Sequence, residues 1–403
     1  MPARADQPVA PVRLLDLDLS RPAAAVEDAA GFAGVQALVW NDGAPVGWIT
    51  VPVHGGRCSA EAITGALAHL NGKEPAPVQS IPEQWPTVTV AVCTRDRTGD
   101  LERRLDALAA IQYPGLELLV VDNAPVSDLT ERLVRGYRRP LRYVREPRPG
   151  LDWARNRAIQ EATSEVLAFT DDDVIVDAGW VHALARVFVA DPAVAAVTGL
   201  VVPLELDTEA QVLFERYRSF ARGFVHRRVS AGGGGSSVAA KYGAAGDFGT
   251  GANMAFRRNL FDRIGPFDPA LDVGTPTHGG GDLEMFFRVL KEGYTLIYEP
   301  RALVRHRHRR DLPGLRRQMT DHGIGFSSYL VRTALTYPEE RAAVARLGAW
   351  WLAKTVFRIA RPKAAPTAAL RRLGLSELKG CLLGLGRYQQ SRHAAALLGG
   401  SLP

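Results

Sequence analysis

The fold of this chain is decided by the stretch Val166-Leu-Ala-Phe-Thr170, an apolar run that leads directly into Asp171-Asp172-Asp173. Residues 88–92 lead in the same way into Thr94-Arg95-Asp96-Arg97, and residues 116–121 lead into Asp122-Asn123. The carboxyl ends of parallel strands converge on one edge of an α/β sheet, which is where such folds bind ligands. Carboxylates gathered there repel one another unless a cation joins them, so the sequence predicts a metal-assisted site for a phosphorylated ligand.

Strand-like and helix-like segments alternate through residues 87–190, which predicts an α/β fold with βαβ units and a mostly parallel sheet. The predicted strands are 87–93, 116–121, 141–145 and 165–170, and the predicted helices are 98–111, 128–138, 150–162 and 178–190. Two irregular segments, 229–251 and 267–281, follow, and a helix is predicted after them at 282–292. Loops of this length inside a compact domain are usually functional or disordered.

The regions on either side of this α/β domain, which is predicted over residues 87–335, differ from it. Residues 11–75 predict a small α+β unit, because Asn41-Asp42-Gly43 joins two strand-like runs and a helical stretch follows. Packing against the main domain explains this unit better than a separate binding role, because it holds no cluster of reactive side chains. The other predicted segments are a flexible leader (1–10), a linker (76–86) and a basic helical extension (336–403).

The composition bounds the class of protein. Of 403 residues, 46% are hydrophobic and 23% are charged, which is typical of a globular chain. The first residues lack the apolar core of a signal peptide, and no uncharged apolar stretch is long enough to span a bilayer. Cys58, Cys93 and Cys381 are too few and too scattered for a disulfide framework or a zinc site, so a cytoplasmic location is expected.

The net charge of +6 is unevenly distributed. Residues 341–403 hold eleven Lys or Arg and one acid, Glu377, so this segment carries +10 and the first 340 residues carry −4. Helical spacing there relates Trp350, Lys354, Arg358 and Arg361. Such a helix could lie on an anionic membrane surface, peripherally at the inner face of the cell membrane, or it could close over the main domain. The acidic body argues against a nucleic-acid partner.

Several motifs occur in an order that resembles family 2 glycosyltransferases over residues 87–310. They are Thr94 to Arg97, Asp122-Asn123, Gly150 to Asn156, Asp171 to Asp173, Gly249 to Phe256, Asp282-Leu283-Glu284 and His306-Arg307-His308. The resemblance implies a GT-A fold and a hexosyltransferase that uses a nucleotide-diphosphate sugar, Mg²⁺ or Mn²⁺, and inversion at the anomeric carbon. The implied acceptor is a hydroxyl group, on a lipid-linked, cell-envelope or natural-product molecule.

By this resemblance, Asp171 and Asp173 are the outer acids of the family's DxD motif. Asp173 is then the expected direct metal ligand, with Asp171 or Asp172 nearer the ribose, and such ions are commonly held by one or two carboxylates plus substrate phosphates. A polar turn that caps the next helix is the alternative. Three acids after a buried strand, in this order of motifs, favour the metal site.

The nucleotide pocket is expected at the first two strand ends. Asp122 resembles the family acid that hydrogen-bonds the base, and Thr94 and Arg95 would line the same pocket. Arg95 stands where the family often has Tyr or Phe, and a guanidinium can also stack on a base. The alternative for Asp122 is a solvated turn residue before Asn123-Ala-Pro.

Two further segments are expected to contact the donor. Gly150 opens a helix whose free N–H groups favour anions, and Arg155 and Asn156 stand where the family commonly contacts the donor. Arg155 could equally be a surface charge. Gly249-Thr-Gly-Ala-Asn253 resembles the glycine-bearing segment on the sugar side, with Asn253 as its candidate side chain, and a plain tight turn is the alternative.

The expected general base is Asp282, because an inverting transfer needs a carboxylate that deprotonates the acceptor hydroxyl. In the family this acid is the second of a Glu-Asp pair, followed two helical turns later by an arginine that matches Arg288. Glu284 is then a second acid nearby, and the first acid of the pair is replaced by Gly281. An N-cap role for Asp282 is compatible with the base role.

His306 and His308 follow an apolar run, and residues two apart in a strand point to the same side. One imidazole could ligate the metal or the diphosphate, with His306 preferred and His308 second. A basic phosphate clamp or an ordinary surface run is the competing interpretation.

Two other functions remain open. A sugar-phosphate nucleotidyltransferase shares the α/β layout but usually carries a glycine-rich basic loop after the first strand, and residues 93–99 are not such a loop. A catalytically inactive nucleotide-sugar-binding scaffold would be expected to lose the metal acids or the base, whereas Asp171, Asp173 and Asp282 are all present.

Overall fold

The computed structural model describes residues 9–70, 72, 82–230, 245–361 and 367–399. Most of the predicted leader and linker, and most of the glycine-rich part of segment 229–251, lie outside the described residues. The tail is described apart from 362–366 and 400–403.

The amino-terminal region forms a three-stranded sheet of β1 (Val12–Asp18), β2 (Gly34–Asn41) and β3 (Ala44–Pro52), followed by helix α1 (Ala60–Leu67). The β2–β3 hairpin turns at Asp42 and Gly43, whose φ angles of 48° and 69° give the twist that two-residue hairpin turns require. Strand β1, parallel to β2, is absent from the sequence-based prediction. The small sheet contacts the rest of the protein through a buried cluster that includes Leu38, Leu303 and Tyr298.

A nine-stranded sheet forms the centre of the protein, in the order β10-β12-β9-β11-β7-β4-β5-β6, with β8 beside β12. Its strands are β4 (Val88–Thr94), β5 (Leu116–Asn123), β6 (Arg142–Glu146), β7 (Val166–Asp171), β8 (Val174–Val176), β9 (Val194–Pro203), β10 (Arg227–Ser230), β11 (Asn253–Arg257) and β12 (Thr295–His306). Three of them, β8, β10 and β11, run against the other six, so the prediction of a mostly parallel sheet is confirmed.

Helices cover both faces of this sheet. They are α2 (Thr98–Ala110), α3 (Leu129–Arg135), α4 (Leu151–Glu161), α5 (Trp180–Ala190), α6 (Glu209–Arg218), α7 (Phe261–Ile264) and α8 (Gly281–Lys291). Alternate residues of β7 enter opposite cores: Val166 and Ala168 pack with α2 and α5, whereas Leu167 and Phe169 pack with α4 and α8. Strands buried on both faces explain the uninterrupted apolar runs in the sequence. The predicted α/β class is therefore confirmed.

The carboxyl-terminal region is helical, as predicted, and consists of α9 (Leu312–Thr336), α10 (Arg341–Ala360) and α11 (Thr367–Leu397). Helix α9 begins at Asp311, whose side chain accepts a hydrogen bond from Gly314 N at 2.7 Å. Helix α11 packs along α9 through closely approaching backbones. Among the described residues, no helix combines the length and apolar character needed to cross a membrane.

Candidate active site

The acid-bearing strand ends lie side by side. Strand β4 lies between β5 and β7, and the register places Thr94 opposite Asp122 and Cys93 opposite Asp171. The geometry expected from the parallel pattern is therefore present at one edge of the sheet.

Three side chains at this edge could bind a divalent metal. One ligand atom each from Asp171, Asp173 and His306 all lie within 4.8 Å of one another. The histidine arrives from the end of β12, which pairs with β8 so that His306 stands opposite Val174. Two carboxylates and an imidazole suit a small divalent cation, and the hard carboxylate oxygens suit Mg²⁺ or Mn²⁺.

The charges in this cluster favour a cation. Burial and the neighbouring charge of Asp173 raise the pKa of Asp171 to about 7. Burial lowers the pKa of His306 to about 4, so its ring is neutral near pH 7 and can donate a lone pair. Burial also opposes ionisation of Asp173, but its neighbours His306 and Arg97 bring its pKa below the ordinary value. Because His306 is neutral near pH 7, Arg97 remains as the permanent positive charge in direct contact with Asp173.

Arg97 belongs to the motif at the end of the first strand, and the sequence alone indicates no role for it. Its Nη1 lies 2.6 Å from Asp172 Oδ1 and 3.2 Å from Asp173 Oδ2. Asp172 Oδ2 accepts a hydrogen bond from Thr94 Oγ1 at 2.7 Å, so both oxygens of Asp172 have protein partners. Burial raises the pKa of Asp172 to about 6. Asp172 and Thr94 thus brace the strand ends, and Asp172 is absent from the three-residue metal cluster.

Asp122 has the property expected of a ligand-binding acid. It is fully buried, its Oδ2 accepts a hydrogen bond from the hydroxyl of Tyr143 at 3.0 Å, and its Oδ1 has no partner among the described residues. Burial raises the pKa of Asp122. A buried acceptor without a partner costs free energy unless a ligand or water satisfies it. Arg95, in contrast, is exposed, with Nε 3.9 Å from Asp96.

Asp282 lies in the first turn of α8, two residues after its N-cap Gly280. Its Oδ2 accepts a hydrogen bond from Gly251 N, and its Oδ1 accepts one from Leu283 N, both at 2.8 Å. Burial and the charge of Asp272 raise the pKa of Asp282. The carboxylate is therefore fixed in place, and its raised pKa makes it a stronger proton acceptor than a solvent-exposed aspartate.

The comparison with known proteins agrees with this arrangement. Residues 89–265 match the family model described as Glycosyl transferase family 2. This segment is a family 2 glycosyltransferase domain. The family predicted from the order of motifs is therefore confirmed.

Two curated relatives carry related domains. The pre-mycofactocin glycosyltransferase of Mycobacterium tuberculosis is 27% identical over 226 residues, which are 56% of this chain and 43% of that protein. The glucosyl-dolichyl phosphate glucuronosyltransferase of Haloferax volcanii is 23% identical over 230 residues, 55% of this chain and 69% of that protein. The match thus spans less than half the length of the mycobacterial protein.

A solved structure, the mannosyltransferase PcManGT from Pyrobaculum calidifontis in complex with GDP-Man and Mn²⁺, is also similar. The identity is 22%, the alignment covers 82% of this chain and 81% of that one, and the TM-score is 0.46. At this TM-score the two structures differ too much for single residues to be carried from one to the other.

Arg155 of the glycosyltransferase domain is buried, so it is no surface charge. Its Nη1 lies 2.8 Å from Asp152 Oδ1 and 2.5 Å from Asp272 Oδ2. A Cβ at position 251 would overlap the Arg155 guanidinium, so Gly251 approaches it as closely as a backbone can. Arg155 therefore lies against Gly251, whose backbone N–H donates a hydrogen bond to Asp282.

Gly281, which the resemblance places at the first acid of the family's pair, has no room for a side chain. A Cβ at position 281 would overlap the Asp152 carboxylate and lie 2.8 Å from Asp272 Oδ2. Asp152 is fully buried, and its Oδ2 has no hydrogen-bond partner among the described residues. Burial and the Asp272 charge raise its pKa well above the ordinary value. Two acids from elsewhere in the chain thus fill the space beside Asp282.

Asn156 and Asn253 are occupied by the protein itself. The Asn156 amide donates to the carbonyl of Phe267 at 2.9 Å and accepts from its N–H at 2.8 Å. The Asn253 side chain donates to two carbonyl groups and accepts from Trp180 Nε1 at 2.8 Å. The side chains of both asparagines fix backbone segments in place. A contact with the nucleotide-sugar donor would have to replace these hydrogen bonds.

Glu284 and His308 also have protein partners. Glu284 is fully buried, and both of its oxygens contact Arg288. His308 Nε2 lies 2.7 Å from Glu215 Oε1, and its ring packs against Phe214. His306 and His308 do lie together, with their Nδ1 atoms 3.3 Å apart, but His306 alone of the two is in the metal cluster found among the described residues.

The sequence-based assignment missed three residues that contact the candidate site residues: Asp152, Asp272 and Tyr143. Asp152 precedes Arg155 by three residues on α4, a spacing that brings helical side chains together and could have indicated the pair. Tyr143 and Asp272 gave no such signal, because each meets its partner only through the fold.

Proposed function

We propose that this protein is an inverting glycosyltransferase that moves a sugar from a nucleotide-diphosphate donor to an acceptor hydroxyl with a divalent metal. The observation that carries the proposal is the Asp171–Asp173–His306 cluster at the sheet edge. Asp171, Asp173 and Asp122 lie within the segment that matches the family 2 model, and His306 and Asp282 follow it in the chain. Inactive scaffolds have no need of these costly buried charges, which supports an enzyme.

Mg²⁺ or Mn²⁺, when bound to Asp171, Asp173 and His306, would neutralise charge on the leaving diphosphate. The protein's own residues perform the remaining tasks. Arg97 favours the ionised form of Asp173, and the unpartnered Oδ1 of Asp122 accepts a hydrogen bond from the nucleotide base. Arg95 is exposed and directly follows Thr94, which stands opposite Asp122, so its guanidinium is available to stack on the base.

Asp282 acts as the general base. It takes the proton of the acceptor hydroxyl as the new bond from that oxygen to the anomeric carbon forms and the bond to the diphosphate oxygen breaks. Attack from the face opposite the leaving group inverts the anomeric carbon. The Gly251 and Leu283 N–H groups orient the carboxylate, and burial together with the charge of Asp272 makes it a stronger base.

Arg155, Asn156 and Asn253 are positioning residues in this proposal. Arg155 supports the Gly251 segment from below, Asn156 clamps Phe267, and Asn253 joins β11 to the β9 and β12 backbones. Their loss would move the groups that touch the donor, which is a different effect from removing a donor contact.

The experiment that tests the function begins with thermal stability against UDP-, GDP- and dTDP-sugars, with and without Mn²⁺. A ligand that binds the native state raises the melting temperature. Turnover of the donor so identified is then compared with that of Asp282→Asn. We expect the variant to keep donor binding and to lose about 100-fold or more in kcat. If the wild-type protein binds the donor but does not turn it over, the transferase assignment fails and the inactive nucleotide-sugar-binding scaffold is favoured.

We also propose that the tail contacts an anionic membrane peripherally, which suits a lipid-linked acceptor. Glu377, the one acid of residues 341–403, is fully buried, so the described surface of α10 and α11 carries basic groups without an acid. Apolar side chains are exposed on the same helices, including Trp350 at 54% and Leu382 at 67%. Lys354 Nζ lies 4.6 Å from the Trp350 ring centroid. Exposed apolar residues among basic ones suit a membrane interface.

Vesicle partitioning tests this contact. Trp350→Ser combined with Leu382→Ser changes exposed residues alone, so the fold should persist. We expect the double variant to partition less onto phosphatidylserine-containing vesicles, with unchanged turnover of a soluble acceptor. Equal partitioning of wild-type protein and variant would exclude this surface. Three free, buried cysteines, Cys58, Cys93 and Cys381, support the inner, reducing face of the membrane as the location.

A further inference from the structure

The buried face of α11 reaches the segment that leads into the proposed catalytic helix α8. Tyr388 of α11 is 3% exposed, and its hydroxyl donates a hydrogen bond to Asp268 Oδ2 at 2.7 Å. The other oxygen of Asp268 accepts from Ala270 N at 2.9 Å. A residue near the end of the chain thus holds the loop before α8.

From Asp268 the contacts continue to α8 itself. Arg332 of α9 places Nε 3.4 Å from Asp268 Oδ2 and Nη1 2.7 Å from Glu284 Oε1. Glu284 of α8 in turn pairs with Arg288. Two acids and two arginines, all almost fully buried, balance one another in charge, and such a network holds its geometry only while each member keeps its partners.

Close backbone contacts follow the same path. A Cβ at Gly380 or Gly323 would overlap backbone of the facing helix, and one at Gly384 would lie 2.5 Å from Ile324 O. On its other side, α9 contacts the residues before α8, because a Cβ at Gly280 would lie 2.6 Å from Gly325 O. Helix α11, helix α9 and the start of α8 are therefore packed backbone to backbone, which leaves little freedom for one to shift alone.

We propose that Tyr388 is a positioning residue of the transferase site, through which α11 fixes the placement of α8 and hence of Asp282. This inference rests on the proposed function, in which Asp282 is the base. Glu284 lies two residues beyond Asp282 on the same helix, so a displacement of Glu284 displaces the base as well. A displacement of a reacting group by about 1 Å can lower the reaction rate about 100-fold.

The matched control is Tyr217, which makes an equivalent contact elsewhere. Its hydroxyl donates to Glu377 Oε2 at 2.5 Å, so it also joins α11 to the core through a buried carboxylate, but from α6. Tyr388→Phe and Tyr217→Phe each remove one hydroxyl and keep the ring. The two variants should lose similar stability and differ in their effect on α8.

The experiment uses the full chain and the nucleotide sugar found in the thermal-stability panel. We expect Tyr388→Phe to lower kcat about tenfold with an unchanged donor KM, and Tyr217→Phe to leave both close to wild type. Backbone amides of residues 281–291 should exchange hydrogen faster in Tyr388→Phe alone. An equal fall in kcat in both variants, or unchanged exchange in α8, would overturn the proposal.

The exchange measurement separates this inference from the proposed function, because it needs no turnover. If the wild-type protein transfers no sugar but α8 loosens selectively in Tyr388→Phe, the mechanical link stands and the transferase assignment fails. If turnover is normal in Tyr388→Phe, the link to catalysis fails and the transferase assignment stands.

Discussion

Replacing Asp171 by asparagine is expected to stabilise the metal-free protein at alkaline pH. The folded protein raises the pKa of Asp171 from 3.8 to about 7, because the carboxylate is buried beside the charge of Asp173. Between pH 4 and 7 the folded state therefore binds more protons at this site than the unfolded state does. The stability that the site contributes falls as the pH rises through this range, and above pH 7 the full cost of the buried charge is present.

The size of the effect follows from the shift. A difference of about three pKa units corresponds to roughly 4 kcal/mol at about 1.4 kcal/mol per unit, and relaxation around the charge reduces this to on the order of 2 kcal/mol. Asparagine has nearly the same shape and no charge, so Asp171→Asn should recover that free energy above pH 7. For a chain of 403 residues, about 2 kcal/mol should raise the melting temperature by roughly 2–3 °C at pH 8 and by much less at pH 5.

The assay is thermal unfolding in EDTA from pH 5 to pH 8.5, with Asp128→Asn as the control. Asp128 has an exposed side chain, so its loss should change the melting temperature little. Excess Mn²⁺ should then raise the melting temperature of the wild-type protein by more than that of Asp171→Asn, because the ion removes the repulsion that the mutation removes. A melting temperature for Asp171→Asn at or below wild type in EDTA at pH 8, or a gain that is the same at every pH, would refute this reasoning.

Three further substitutions are expected to act on single contacts. Arg97→Met should lower the free energy of unfolding in EDTA by roughly 1–2 kcal/mol, because two aspartates lose their cation, and a melting temperature equal to that of the wild type would contradict the pairing. Tyr143→Phe removes the hydroxyl that satisfies one oxygen of a buried carboxylate, and donor titration should show about fivefold weaker binding or more. Gly281→Ala should cost roughly 2 kcal/mol or more in thermal unfolding, because the new Cβ overlaps the Asp152 carboxylate, whereas Gly386→Ala, with open space around it, should be neutral or stabilising.

The sequence predicts the sheet edge well because its signals are local. An apolar run followed by acids marks both a buried strand and its polar end, so the positions of Asp122 and Asp171 follow from the runs themselves. The hairpin at Asp42-Gly43 is predictable for the same reason, since its residues allow positive φ. Strand β1 and the antiparallel strands carry weaker patterns, and their pairing is decided by partners distant in the chain.

The contacts inside the candidate site are less predictable, because they join distant residues. Arg155 and Asp272 are 117 positions apart, and nothing in either local sequence indicates the pair. Residue type alone also leaves the role open: Asn156 and Asn253 stand in motifs that suggest ligand contact, yet their amides hold backbone groups. Burial and hydrogen-bond partners decide between these roles, and both depend on the folded chain.

The basic tail illustrates why the two interpretations drawn from its sequence are not exclusive. One face of α11 presents Leu382 and basic groups to the surroundings, while the opposite face places Tyr388 and Glu377 in buried contacts with the core. Deleting residues 341–403 would remove both faces together, so any loss of membrane binding or turnover would have two causes. Substitutions at exposed positions change the first face alone, and Tyr388→Phe changes the second alone. Because the helix is amphipathic in this sense, membrane contact and support of the catalytic helix can be measured separately in the intact chain.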